Sequence, residues 1–186
     1  MPSGPGVIPD DLIRDIALTI PPPIASFLLT CEVEADKIIE HHRKTRTNTI
    51  QLVDQVVPGT YAKLKKTLPA IRLVQVIHVL GEHSLEEAVT VSREVDALLL
   101  DSGNPNLAVK ELGGTGRIHN WEISTRIREQ VDIPVFLAGG LNPENVSQAI
   151  KTIRPFGIDV CSGLRTNGNL DEAKLEKFFE CLPKSY

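Results

Sequence analysis

Six short apolar runs punctuate the chain at a near-constant interval, and this recurrence limits the fold more than any other feature of the sequence. They are Ile24–Thr30, Thr49–Val53, Arg72–Val79, Ala97–Asp101, Val135–Ala138 and Ile158–Cys161. Their starts lie 25, 23, 25, 38 and 23 residues apart. Most are rich in Val, Leu and Ile with little polar alternation, as strands buried on both faces of a parallel sheet are. Between them run helical patterns. Val146, Ala149, Ile150 and Ile153 fall on one face, and Leu175, Phe178, Phe179 and Leu182 repeat the spacing. Leu12, Ile13 and Ile16 mark a first helix after Pro9, and Tyr61, Leu64 and Leu68 another. Ser84-Leu85-Glu86-Glu87 has the form of a capping box, and Asn142-Pro143 that of an N-cap followed by a first helical residue.

The order is therefore one helix and then six βα units, which predicts a parallel sheet, either open and doubly wound or closed into a barrel. A full eight-unit barrel takes about 250 residues, or roughly 31 per unit. The 186 residues here hold about six at that rate. One core can grow to this length, so residues 1–186 read as a single domain.

Composition narrows the function classes. Twenty Lys and Arg against 24 Asp and Glu leave a net charge of −4, which speaks against a nucleic-acid footprint without excluding a local basic pocket. Cys31, Cys161 and Cys181 form neither a disulfide framework nor a zinc pattern, and they suit a reduced, cytoplasmic setting. No apolar run is long enough to span a bilayer, and Met1–Gly6 has no signal-peptide character.

Three segments carry candidate chemistry. In Leu98–Gly103 an acid, Asp101, closes an apolar strand, where parallel α/β folds place catalytic groups; a turn-capping role is open as well. Gly113-Gly114-Thr115-Gly116 lies in the longest interval between strands and is either a ligand-approach loop or a flexible one; it is not a Walker sequence. His119 after it reads as loop-supporting or solvent-facing, and Asn120 as an N-cap. Finally, Gly139-Gly140 and Ser162-Gly163 end consecutive strands. Two such turns can form one nest of amides for a phosphate, or be tight turns alone.

The ordered set LLLDS (Leu98–Ser102), GGTG followed by Trp121, PVFLAGGLNPENV (Pro134–Val146) and RPFGIDVCSG (Arg154–Gly163) resembles the phosphoribosylanthranilate isomerases of tryptophan biosynthesis. The resemblance runs roughly from Pro9 to Phe179 and is strongest over Ala97–Leu170. It implies a (β/α)8 TIM-barrel type of fold and an Amadori rearrangement of N-(5-phosphoribosyl)anthranilate, with no metal or redox cofactor. It implies that Asp101 is the acid that opens the ribose ring, aided by desolvation that raises its pKa. By the same carry-over Gly114, Gly139, Gly140, Ser162 and Gly163 meet the phosphate, Gln51 matches a strand-end Gln, and Arg165 is a candidate partner for the substrate carboxylate.

The departures are as informative. The family opens on a strand of the type KICG, whose Cys is the general base, followed by a helix and a second strand. No such segment occurs in residues 1–186, and none of the three cysteines takes its place. Val53-Asp54 stands where the family has His, and Asn120 where it has Asp. The expectation is an incomplete barrel lacking its first βαβ segment, from a late start or a natural loss. Its open strand edges, Ile24–Thr30 and Ile158–Cys161, would favour a homo-oligomer. The function is then the isomerase, impaired in this chain. The rivals are a non-catalytic phosphosugar-binding or interaction protein, and another phosphate-binding barrel isomerase.

Overall fold

A computed structural model describes residues 7–103 and 119–184. It contains seven α-helices and eight strands among those residues. They divide into two compact units. The first holds residues 7–76 and 93–97, and the second residues 77–92, 98–103 and 119–184.

In the first unit, α1 (Asp10–Thr19) precedes β1 (Phe27–Thr30), α2 (Ala35–Thr45), β2 (Thr49–Leu52), α3 (Thr60–Thr67) and most of β3 (Arg72–His78). β1 pairs with β2 and β2 with β3, all parallel, with Leu29 opposite Gln51 and Gln51 opposite Val74. The core is Leu28, Ile38, Ile50, Leu52, Leu64 and Leu73, nearly all completely buried. Each such side chain contributes about 1.5–3 kcal/mol by leaving water. β1 starts three residues later than the apolar run suggests. Pro21-Pro22-Pro23 precede it, and the Ile24 amide closes a turn onto Pro21 O instead of entering the ladder. α1 forms where its spacing places it, but no residue in it is buried.

In the second unit, α4 (His83–Val91), β4 (Ala97–Asp101), α5 (Trp121–Gln130), β5 (Val135–Leu137), α6 (Val146–Ile153) and β6 (Gly157–Ile158) follow in turn. β4 pairs with β5 and β5 with β6, again parallel. All five residues of β4 are buried, as a strand covered on both faces requires. Val146, Ala149, Ile150 and Ile153 form the buried face of α6. The last elements are a 3-10 turn, Ser162–Leu164, the hairpin β7 (Arg165–Thr166) and β8 (Asn169–Leu170), and α7 (Glu172–Glu180).

Four local readings need correction. The capping box does not form. α4 begins at His83, and the buried Ser84 hydroxyl donates to His78 O and accepts from the Leu80 amide, so it is committed to the end of β3. The Asn142 carboxamide does cap a turn, accepting from the Glu144 and Asn145 amides, but α6 becomes regular only at Val146. β6 is two residues long rather than four and ends where the Asp159 amide reaches Leu137 O; among the described residues it has β5 as its sole strand partner. Phe178 of α7 is buried, whereas Phe179 is 63% exposed.

Candidate active site

Asp101 ends β4 and is only 6% exposed. Its carbonyl accepts from the Val79 amide, which fixes the strand end in place. Ser102 and Gly103 turn the chain away, both buried. Asp159 stands just past β6, and two effects raise its pKa above the ordinary carboxylate value. The larger is partial removal of its carboxyl from water, and the smaller is the charge of Asp101. Two carboxyl groups therefore share one electrostatic environment at the carboxyl ends of β4 and β6. Asp159 was visible in the Arg154–Gly163 motif, but no spacing rule marks it, because the neighbour that matters to it is 58 positions away along the chain.

Two turns meet beside these acids. Gly139 and Gly140 have φ of +83° and +66°, which glycine adopts without strain. The Gly140 carbonyl accepts from the side-chain amides of Asn142 and Asn145, which tie the turn to the start of α6. Gly163, in the 3-10 turn, packs on Leu141 O so closely that a Cβ there would overlap it. Among the described residues the amides of Gly139, Gly140, Ser162 and Gly163 donate to no protein acceptor. The structure thus brings together the two turns that the sequence paired, with their amides unengaged.

Gly139 also packs against Ser102 and His119, since a Cβ at Gly139 would stand 2.9 Å from Ser102 N and Oγ and 3.0 Å from His119 Nδ1. His119 Nε2 is 2.7 Å from Ser124 Oγ, and burial lowers the imidazole pKa to about 4. The ring is thus tied to the first turn of α5. Asn120 caps α5 as its sequence position suggests, accepting from the Glu122 and Ile123 amides.

The remaining expected residues are placed differently. Arg165 lies on β7, and its Nη1 donates to Gly168 O, 2.7 Å away, across the turn of its own hairpin. Gln51 lies on β2, buried in the first unit. Gly114 lies outside the described residues. Among the described residues no cluster of His, Cys, Asp and Glu could hold a metal ion.

The first unit has a concavity of its own, of about 730 Å³, between α1 and β1. His41 bridges its wall, with Nδ1 3.1 Å from Thr30 Oγ1 and Nε2 3.2 Å from Asp10 Oδ1. Thr30 also accepts from the Glu32 amide, so this chain of contacts ties α1 and β1 to α2.

Buried strands in parallel register, with an acid and unengaged glycine amides at their carboxyl ends, define a parallel α/β protein of the TIM-barrel type. Comparison with known proteins supplies the particular family. The sequence model of the N-(5'phosphoribosyl)anthranilate (PRA) isomerase family matches residues 29–181. The chain is 36% identical over 168 residues to N-(5'-phosphoribosyl)anthranilate isomerase 2 of Methanosarcina mazei, covering 90% of this chain and 74% of that one. Its fold superposes on the phosphoribosyl anthranilate isomerase of Thermotoga maritima with a TM-score of 0.78 at 27% identity, covering 97% of this chain and 83% of that one. An isomerase solved in complex with reduced 1-(o-carboxyphenylamino)-1-deoxyribulose 5-phosphate superposes with a TM-score of 0.74 at 25% identity, covering 96% and 81%. The chain belongs to the phosphoribosylanthranilate isomerase family.

Proposed function

We propose that this protein catalyses the isomerisation its family is named for, converting N-(5'-phosphoribosyl)anthranilate to the carboxyphenylamino-deoxyribulose phosphate in tryptophan biosynthesis. The observation that carries the reading is the meeting of the Gly139-Gly140 and Ser162-Gly163 turns, with free amides, in the unit that holds Asp101. Backbone amides converging without protein acceptors suit a phosphate.

In this reading Asp101 gives its proton to the ribose ring oxygen. The C1′–O bond breaks while the anthranilate nitrogen forms a C1′=N bond. Loss of the C2′ proton gives an enolamine, which tautomerises to the amino ketone; the family's base for this step is a Cys with no counterpart in residues 1–186, so the reaction in this chain is impaired. Composition is unchanged, as an isomerase requires. Asp101 comes from a strand end, which locates the acid more rigidly than a loop does. Arg165 would take the substrate carboxylate by exchanging Gly168 O for it, Gly114 would add to the phosphate cradle, and Gln51 keeps its match to the family's strand-end Gln. The family match favours this isomerase over a non-catalytic phosphosugar-binding role.

The same reading takes residues 1–186 as one barrel domain, working in the cytoplasm without nucleic-acid or membrane partners. The three cysteines are free, and no helix among the described residues is long and apolar enough to cross a membrane. It also includes self-association through strand edges. Leu29 on β1 is 42% exposed and Phe156 beside β6 is 71% exposed. Edges flanked by apolar surface favour pairing with another chain. Sedimentation at micromolar concentration gives a dimer or larger species under this reading, and a persistent monomer counts against it.

The catalytic reading is tested by following loss of phosphoribosylanthranilate with the wild-type chain and Asp101→Asn. A positioned acid is worth about 10²–10⁴-fold in rate, so the Asn variant should lose that much. Gly140→Val should abolish phosphate binding, because Val resists positive φ and its side chain crowds the anion. Activity indifferent to Asp101→Asn would put the acid elsewhere.

A further inference from the structure

The reaction as described uses Asp101 and the two glycine turns, but not the side chain that packs against Gly139. His119 is the described residue immediately before the N-cap of α5, and it packs against two parts of the second unit, the first turn of α5 and the turn after β5. Its Nε2 meets Ser124 Oγ on the first turn of α5 at 2.7 Å. With its proton on Nε2, the neutral ring donates to Ser124 Oγ while that hydroxyl donates to Asn120 O at 3.3 Å. In this tautomer Nδ1 is a bare acceptor. It is buried, with no hydrogen-bond partner among the described residues. It faces the α-carbon of Gly139, and the Ser102 amide and hydroxyl face the same point from the end of β4.

We infer that His119 is a positioning residue for the phosphate turn. Its hydrogen bond to Ser124 locks the ring, and the locked ring sets where Gly139 sits against Ser102. Gly139 has a single tolerable place, because even a methyl group would collide with Ser102 and His119. If the ring turns away, its contact with Gly139 is lost, and the amides of Gly139 and Gly140 lose their aim. The neutral ring is the form that works, since buried Nδ1 has no hydrogen-bond partner among the described residues to accept from a proton placed on it. Burial keeps the ring in that form, with its pKa near 4. The inference rests on the reading that these turns bind phosphate, and the test separates the two.

The test measures binding of inorganic phosphate by calorimetry to the wild-type chain, His119→Phe, His119→Gln, Ser124→Ala and the double substitution His119→Phe with Ser124→Ala, with the melting temperature of each. Phe fills the same space without a donor. One neutral hydrogen bond is worth about 1–1.5 kcal/mol, or about tenfold in affinity, so His119→Phe and Ser124→Ala should each weaken phosphate about tenfold. The double variant should be no weaker than either single one, because both break the same link. His119→Gln, whose amide can donate to Ser124, should recover most of the loss. Ser84→Ala, which removes a buried hydroxyl at the carboxyl end of β3 and breaks no contact of His119 or Gly139, serves as the control for stability alone; it should melt earlier yet bind phosphate normally. Should the Phe variant fail to fold, Ser124→Ala breaks the link from its other end. Wild-type protein that does not bind phosphate overturns the phosphate reading and this inference with it. Phosphate that binds the wild type, His119→Phe and Ser124→Ala alike overturns this inference alone, as does a loss that Ser84→Ala shares.

Discussion

The α-carbon of Gly163 lies directly against the backbone carbonyl of Leu141, with Asn142 beside it. This contact joins the turn after β6 to the turn after β5 and makes one concave surface of both. It demands glycine for a steric reason rather than a torsional one, since Gly163 does not have the positive φ of Gly139 and Gly140. Backbone packed on backbone leaves no room for a Cβ, and the atoms it would meet belong to the main chain rather than to a side chain that could move aside.

Gly163→Ala should therefore be among the most damaging small substitutions in the chain. A methyl group forced onto a carbonyl must displace one of the two turns, an overpacking penalty of about 1–3 kcal/mol. Urea unfolding should show a lower midpoint, and phosphate affinity should fall with it. A variant with unchanged midpoint would mean that the turns separate at no cost.

Ser84 bridges the end of β3 to α4, donating to His78 O and accepting from the Leu80 amide while wholly buried. Ser84→Ala removes both contacts and leaves the Leu80 amide and His78 O with their bond to each other. A loss of about 1 kcal/mol is expected from chemical denaturation. A loss near zero would show that water replaces the hydroxyl.

Acid should destabilise the fold through His119. Its folded pKa of about 4 lies below the ordinary 6.5, so the unfolded chain binds a proton first as the pH falls. Above the ordinary value neither state carries the proton and the residue contributes no pH dependence. Between that value and the folded one, stability falls with pH, by up to about 3 kcal/mol. Comparing unfolding free energies at pH 7.5 and 4.5 for wild type and His119→Phe isolates this part. The Phe variant should lose less on acidification, and an identical loss would assign the effect to other groups.

Asp159 has the opposite sign. Its folded pKa is raised, by removal from water and then by Asp101, so the fold disfavours its charge. The unfolded chain releases this proton first as the pH rises, so stability falls across the window from the ordinary carboxylate value up to the raised one. Asp159→Asn should therefore stabilise the protein at pH 7 and lose that advantage in acid. The residue keeps a solvent-exposed face, so the gain is expected to stay below about 1 kcal/mol. Parallel urea titrations at pH 7 and pH 3 measure it.

The strand positions, the parallel class and the buried face of α6 were legible from the chain alone, because burial on both faces leaves an apolar run with little alternation and helix burial leaves a 3.6-residue period. The ends of elements were less so. Ser84 looked like a cap because local spacing is all a sequence shows, and the β3 backbone that claims its hydroxyl is visible only in space. The β7–β8 hairpin had a signal that went unread: Asn167-Gly168, at φ of +52° and +81°, is the dipeptide that favours a two-residue turn with both φ positive.

The acid and the glycine pairs were also written in the sequence, since a strand-ending Asp and paired small residues are local patterns. Three relationships were not: the seating of Gly163 on Leu141, the shared field of Asp101 and Asp159, and the placing of His119 Nδ1 against Gly139. Each joins groups 20 or more positions apart. Local propensity and hydrophobic period act over a few residues, whereas close packing and desolvation depend on what the folded chain brings alongside. The sequence determined which residues stand at the strand ends, and the tertiary structure decided which of them touch.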